Sequence, residues 1–312
     1  MISLKQLKYF DAVARTAHFG KAAEQCAISQ PALSMQVQEL EKFLGVQLLE
    51  RGRSGVMLTE GGKDIARRAA RVLADVRDIV DLARRQGNIL SGPLGLGVIP
   101  SVAPYILPQL LPMIRNGFSD LDLHIRETQT QTLTRELLDG QLDLLLLALP
   151  VEHPDIETIR LFEDRFLLAM AASQRVSNSV RATADLLEGD RLLLLEEGHC
   201  FRDQALAFCS LQRVENINTF GASSLSTLVQ MVSNGLGMTL LPELSVPLET
   251  RRGDIHLMRF ADPEPQRVIG LAWRRSSPRK RHFVELGKMI AAAKATLSHN
   301  IRSTGGGEIL RE

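Results

Sequence analysis

Between Glu60 and Gln86 the chain holds no proline and no glycine after the opening Gly61-Gly62. Within that run Ile65, Ala69, Val72, Val76, Ile79 and Ala83 recur at steps of 4, 3, 4, 3 and 4. That spacing is the a/d seam of a long helix over nearly three heptads, the pattern by which helices of two chains pair. A helix lying along its own domain would leave the same pattern. Either way it separates a front segment from a longer body. Gly87-Asn88 and Ser91-Gly92-Pro93 break it at its far end. The reading is a linker and dimerisation helix over 60–87 and a hinge over 88–93.

The front segment is basic. Residues 1–91 carry 14 lysines and arginines against 10 acids, whereas the remaining 221 carry 23 against 26. Such an asymmetry suits an anionic partner for the front only. Leu4, Leu7, Phe10, Val13 and Ala14 give Leu4–Thr16 a helical period, and Phe19–Ala27 reads as a second short helix. Ile28 fills a tight turn. Ser29 is the N-cap of a third helix with Pro31 in its first turn, Leu33, Val37, Leu40 and Leu44 facing inward, and Gly45 ending it. Short helix, tight turn and capped helix form a helix-turn-helix, which usually reads two half-sites as a dimer. Gln30, Pro31, Ser34, Gln36 and Gln38 lie where side chains approach base edges in a major groove. Arg51-Gly52-Arg53-Ser54-Gly55, between Leu48-Leu49 and Val56-Met57-Leu58, reads as a hairpin wing whose Arg51 and Arg53 reach phosphates or the minor groove. A plain three-helix packing unit with solvated glutamines is the alternative. Residues 1–59 are expected to be an all-α winged helix-turn-helix that binds double-stranded DNA.

Beyond Pro93 strands and helices alternate. Strands are expected at 94–99, 121–127, 142–149, 166–171, 191–195, 238–241 and 268–273, and helices at 104–115, 133–138, 202–211, 225–233 and 283–297. This α/β body, 94–302, is long enough for two lobes with a ligand cleft between them, 94–163 with 268–302 as one and 164–267 as the other. The tail 303–312, with Gly305-Gly306-Gly307, is expected to be disordered. The longest apolar run, Leu142–Leu149, contains Asp143 and is far short of a membrane span, and Met1–Gln6 lacks the pattern of a secretory signal. The expected location is the cytoplasm, with no membrane partner.

Three cysteines fit that compartment. Cys26 sits beside Ala22 and Ala23 and reads as core. Cys200 and Cys209 are nine residues apart, and on one helix they would stand roughly 13 Å apart at a rise of about 1.5 Å per residue. A disulfide needs Cα atoms within about 7 Å. The pair is therefore two inert buried thiols, or a redox switch that refolds to join. Cys200 just precedes the helix N-terminus, which favours a thiolate, with His199 and Arg202 adding charge or hydrogen bonds and Glu196 and Glu197 opposing them. No cysteine or histidine pair has metal-ligand spacing, so neither metal nor cofactor is expected.

Phe10-Asp11-Ala12-Val13-Ala14, Lys21-Ala22-Ala23, Ser29-Gln30-Pro31-Ala32-Leu33-Ser34 through Leu40-Glu41, and Leu58-Thr59 with Gly61 resemble the LysR-type transcriptional regulators. The resemblance covers the whole chain. It implies a winged helix-turn-helix, a linker helix and a two-lobed domain resembling periplasmic binding proteins. It also implies a homodimer assembling to a homotetramer, and contact with RNA polymerase on activation. Glu196 through Leu206, followed by Cys209, is similar to the hydrogen-peroxide-sensing members, as are Ile99–Tyr105 and Gly270–Arg274. That likeness makes Cys200 the peroxidatic and Cys209 the resolving cysteine, joined reversibly and reset by a cellular dithiol. It places Ser101, Thr130, His199 and Arg274 around the peroxide, with Arg202 and Asp203 on the adjoining helix.

Those members usually carry threonine where Ser101 stands; serine keeps the hydroxyl and loses a methyl. From the residues alone Arg274 also fits a solvated basic patch, and Ser101 and Thr130 could each cap a helix. Two other functions compete. One is a regulator answering a small metabolite held between the lobes, with non-redox cysteines. The other is a thiol peroxidase, which would leave the winged helix unused. The expectation is a regulator of antioxidant genes, not an enzyme.

Overall fold

A computed structural model describes residues 1–52, 55–83, 90–173, 181–183, 186, 191–211, 220–250 and 255–303. The chain divides into two compact units, Met1–Gly87 with Glu136–Leu142, and Asn88–Arg135 with Asp143–Glu312.

The first unit begins with three capped helices. Helix α1 (Leu4–Thr16) opens on a capping box in which the Ser3 hydroxyl accepts from the Gln6 amide and the Gln6 side chain accepts from the Ser3 amide. Helix α2 (Phe19–Gln25) is capped by the His18 ring. Helix α3 (Gln30–Leu44) has Ser29 as its N-cap and Pro31 in its first turn, and ends at Gly45 with a φ of 72°. Phe10, Val13, Ala22, Leu33, Val37 and Leu40 interlock with no accessible surface. Cys26 is half-buried against this core, in keeping with a packing role. Strands β1 (Leu49–Gly52) and β2 (Gly55–Leu58) pair antiparallel as the wing. The Glu41 carboxylate ties the hairpin to α3 by accepting from the Leu48 and Leu49 amides at 2.8 and 3.1 Å.

Helix α4 (Glu60–Ala83) follows at once. The Thr59 hydroxyl accepts from the Gly62 amide at 2.8 Å and donates to the Gln47 carbonyl at 2.8 Å, so it fastens the start of α4 to the wing. Any side chain at position 62 would collide with the Leu48 carbonyl. The heptad seam splits. Ile65 and Ala69 join the core, while Val72 and Ile79 stand 41% and 65% exposed.

The second unit is α/β. Strand β3 (Gly92–Val98) pairs in parallel with β4 (Leu121–Glu127) and β5 (Leu144–Leu149), with α5 (Ala103–Gly117) and α6 (Thr130–Leu138) in the crossovers. Because Gly92 and Pro93 pair with Leu121 and Asp122, the expected hinge over 88–93 is too long; its last two residues are strand.

Strand β6 (Ile156–Ala171) runs sixteen residues through both halves of the unit. Up to Arg165 it pairs antiparallel with β11 (Gln266–Arg274), and from Phe166 with β9 (Thr239–Pro242) and, from Leu167, with β10 (Ile255–Arg259). The sheet order is β10-β6-β11-β5-β3-β4, with β9 also on β6. The remaining described elements are β7 (Leu193–Leu195), α7 (Cys200–Leu211), β8 (Phe220–Ala222), α8 (Leu225–Ser233), α9 (Val246–Glu249) and α10 (Lys280–Ser303). Helix α7 begins two residues earlier than the sequence suggests, at Cys200 itself. The tail expected to be disordered lies, from residue 304, outside the described residues.

A Gly62→Ala substitution is expected to destabilise the first unit by about 1–3 kcal/mol, the usual cost of forcing atoms into a packed contact. A lower melting temperature of the first unit would show it.

Candidate functional site

Cys200 is the first residue of α7 and is a half-buried free thiol. The loop before it is fixed from two sides. The Gln129 side-chain amide donates to the Glu197 carbonyl at 3.2 Å, and the Glu196 amide donates to Ala222 at 3.0 Å. Gly198 has a φ of 90°, and a Cβ there would run into the Gln129 amide. Both a left-handed backbone and a bare face are needed, so glycine precedes His199 and Cys200. Arg202 braces the helix by donating to the Leu195 carbonyl at 3.1 Å. Asp203 is exposed in the first turn, where a carboxylate suits the helix dipole.

Beneath α7 lies a buried ion pair. Arg267 and Asp164 are each 2% exposed. The guanidinium donates to Asp164 Oδ2 through Nε at 2.9 Å and to Ser101 Oγ through Nη1 at 2.7 Å. It also donates to the Ser101 carbonyl through Nη2 at 3.0 Å. The second Asp164 oxygen accepts from the Leu244 amide at 2.9 Å. Phe201 covers the guanidinium, its ring centroid 5.5 Å from Cζ. Ser101 is therefore no helix cap; its hydroxyl is aligned by Arg267.

Ser101 and His199 line one partly open cavity of about 110 Å³, together with Tyr105, Glu127, Leu195 and Ser224. Thr130 opens α6, next to the Gln129 that holds the Cys200 loop, and its buried hydroxyl has no hydrogen-bond partner. On α7, one turn beyond Cys200, the buried Gln204 Oε1 also lacks a partner. Buried polar atoms without partners mark places where a small polar molecule gains bonds the protein does not make. Burial pushes the His199 imidazole below its ordinary value, against the opposing pull of exposed Glu196. His199 is thus neutral at pH 7 and can offer a hydrogen bond but no cation. Among the described residues no cluster of His, Cys, Asp and Glu could hold a metal ion.

One expected site residue is misplaced. Arg274 lies seven residues beyond Arg267 on β11, roughly 20 Å away at about 3.3 Å per strand residue, and faces Asp143 at 3.6 Å. The arginine that meets Ser101 is Arg267. The resemblance of Gly270–Arg274 points to Arg274, and nothing local in the sequence singles out Arg267 at the start of the same strand. Cys209 lies on α7 with Cys200, and the intact helix keeps the two backbones roughly 13 Å apart. Its side chain lies outside the described residues.

In the first unit Gln30, Pro31 and Gln38 are exposed on α3 and Ser34 lies between them on one sector. Met35, 53% exposed, shares that sector and was missed. Gln36 does not; at about 100° per residue it falls on another side, where its amide donates to Glu39 at 2.9 Å. Arg53 and the Arg51 side chain lie outside the described residues.

Residues 4–63 match the family described as bacterial regulatory helix-turn-helix protein, lysR family, and residues 87–293 match the LysR substrate binding domain. The chain is 40% identical over 291 residues to the DNA-binding transcriptional dual regulator OxyR of Escherichia coli, covering 93% of this chain and 95% of that protein. It is 43% identical over 297 residues to a probable hydrogen peroxide-inducible genes activator of Streptomyces viridosporus, covering 95% of each. Among solved structures it resembles a full-length cysteine-to-aspartate OxyR variant from Pseudomonas aeruginosa, with a TM-score of 0.81, 37% identity and coverage of 93% of this chain and 95% of that one. It also resembles a peroxide-bound cysteine-to-serine OxyR variant from Corynebacterium glutamicum, with a TM-score of 0.67, 36% identity and 97% coverage of each.

The lowered His199 titration has a signed consequence. As pH falls through the ordinary value of 6.5, the unfolded chain takes up a proton that the folded site resists, so folding stability drops. The drop in melting temperature between pH 7.5 and 5.5 is expected to be smaller in a His199→Gln variant than in the wild type. Equal drops would contradict a buried, neutral His199.

Proposed function

The chain belongs to the LysR family of DNA-binding transcriptional regulators, and from that membership we propose that it senses hydrogen peroxide through Cys200 and a reversible Cys200–Cys209 disulfide. The observation that carries this reading is the placement of a free thiol at the first residue of a helix that holds its partner backbone too far away to bond.

Cys200 reacts as a thiolate, the form of a cysteine that attacks an O–O bond. Arg267 adds little net charge because Asp164 balances it; its role is to align Ser101, whose hydroxyl hydrogen is left to donate to a peroxide oxygen. Thr130 and Gln204 supply further unpaired polar atoms. The thiolate attacks one peroxide oxygen as the O–O bond breaks. The hydroxide released takes the proton lost by the thiol, giving Cys200 sulfenic acid and one water. The Cys209 thiol then displaces the sulfenic hydroxyl as a second water, forming the disulfide once α7 opens. A cellular dithiol returns two electrons and two protons and resets the pair.

The exposed Val72 and Ile79 on α4 suit pairing with a second copy, so that two winged helices reach two half-sites. Opening of α7 then reorganises a dimer or tetramer on its operator and alters contact with RNA polymerase to activate antioxidant genes. The metabolite reading has one observation in its favour, the polar cavity beside His199. Its volume of about 110 Å³ is below the roughly 300–1,000 Å³ of ordinary small-molecule pockets and suits a molecule the size of a peroxide better.

After near-stoichiometric peroxide, peptide mass spectrometry is expected to find a 200–209 disulfide. Cys200→Ser should abolish both the disulfide and any oxidised change in DNA footprint while leaving reduced binding intact. Cys209→Ser should let a trappable Cys200 sulfenic acid accumulate. An unaltered footprint response in Cys200→Ser would overturn the proposal.

A further inference from the structure

Each cysteine of α7 has a phenylalanine next to it in the chain, and each of these rings is seated edge-on against another phenylalanine. Phe201 follows Cys200; it has no accessible surface and meets Phe166 at 5.2 Å and 88°. Phe208 precedes Cys209 and meets Phe260, itself 3% exposed, at 5.1 Å and 75°. The proposed chemistry uses neither ring.

We propose that these two edge-to-face pairs are the latch that holds α7 helical in the reduced protein, with Phe201 and Phe208 the positioning residues that set how readily the disulfide forms. The inference rests on the disulfide reading above. Bonding requires the two Cα atoms to close from roughly 13 Å to within about 7 Å. With both rings seated, Cys200 and Cys209 would have to fold back across the helix that separates them. At least one ring must therefore leave its pocket. A gap of about 0.5–1 Å already forfeits a quarter to a half of a contact's attraction, so a shift of several ångströms loses the pair. When Phe201 leaves, it also uncovers the face of the Arg267 guanidinium. The latch thus weighs against the oxidised state by the contacts it loses there.

The test is a thiol–disulfide titration of the full chain in glutathione buffers, read by alkylation of free thiols. Two protein thiols are oxidised to one disulfide as one oxidised glutathione is reduced to two thiols. Phe201→Leu, Phe208→Leu and the double variant keep an apolar side chain of similar size and should fold. The double variant is expected to favour the disulfide at least tenfold more than wild type, a midpoint about 30 mV more negative for a two-electron couple. Its reduced form should melt lower while its disulfide form melts as wild type does. A disulfide of unchanged midpoint, or reduced and oxidised forms weakened equally, would overturn the latch alone. Absence of any 200–209 disulfide in the wild type would overturn the reading beneath it, and the latch with it.

Discussion

The salt bridge between Arg267 and Asp164 is the interaction on which the second unit depends. Both side chains are withdrawn from water, at a desolvation cost that their mutual attraction alone does not offset. Extra bonds make up the difference. Ser101 supplies a hydroxyl and a carbonyl, the Leu244 amide fills the free Asp164 oxygen, and the Phe201 ring lies over the guanidinium. These partners come from the start of β11, the middle of β6, the loop before α5, the turn after β9 and the first turn of α7. The pair sits where β6 exchanges one strand partner for others. A single buried charge pair thereby sets the junction of the lobes, the orientation of Ser101 and the seat of α7.

From that junction the chemistry inherits its geometry. Arg267 occupies the acceptor side of Ser101 and leaves its hydroxyl hydrogen free to donate, and burial holds the His199 imidazole below its ordinary value. The helix that begins at Cys200 also keeps Cys209 out of reach. On the proposed reading, the element that carries the thiol also opposes its final product, the arrangement required of a switch that stays reduced until oxidant arrives.

Much of this was legible in the residues. Ser29 and Gly45 announced their helix ends because caps are local interactions between near neighbours. The alternating apolar residues of Leu121–Glu127 gave a strand to the residue. The first half of β6 was hidden, because the charges of Ile156–Arg165 fall at 157, 160, 163, 164 and 165 and leave no two-residue alternation to read. Strand β10 and helix α9 were hidden too, since short elements take their form from the sheet they join and not from their own pattern. The site was half visible. The cysteine spacing and the hydroxyls at 101 and 130 could be named, but the choice between Arg267 and Arg274 depends on pairing register, which no local pattern encodes.

Amide hydrogen exchange across residues 200–211, before and after stoichiometric peroxide, tests the central claim most directly. The reduced helix should be protected, and on oxidation protection should fall over these residues while β3, β5 and β11 keep theirs. Unchanged protection of 200–211 in a protein whose Cys200–Cys209 disulfide has been verified would contradict a switch that works by opening this helix.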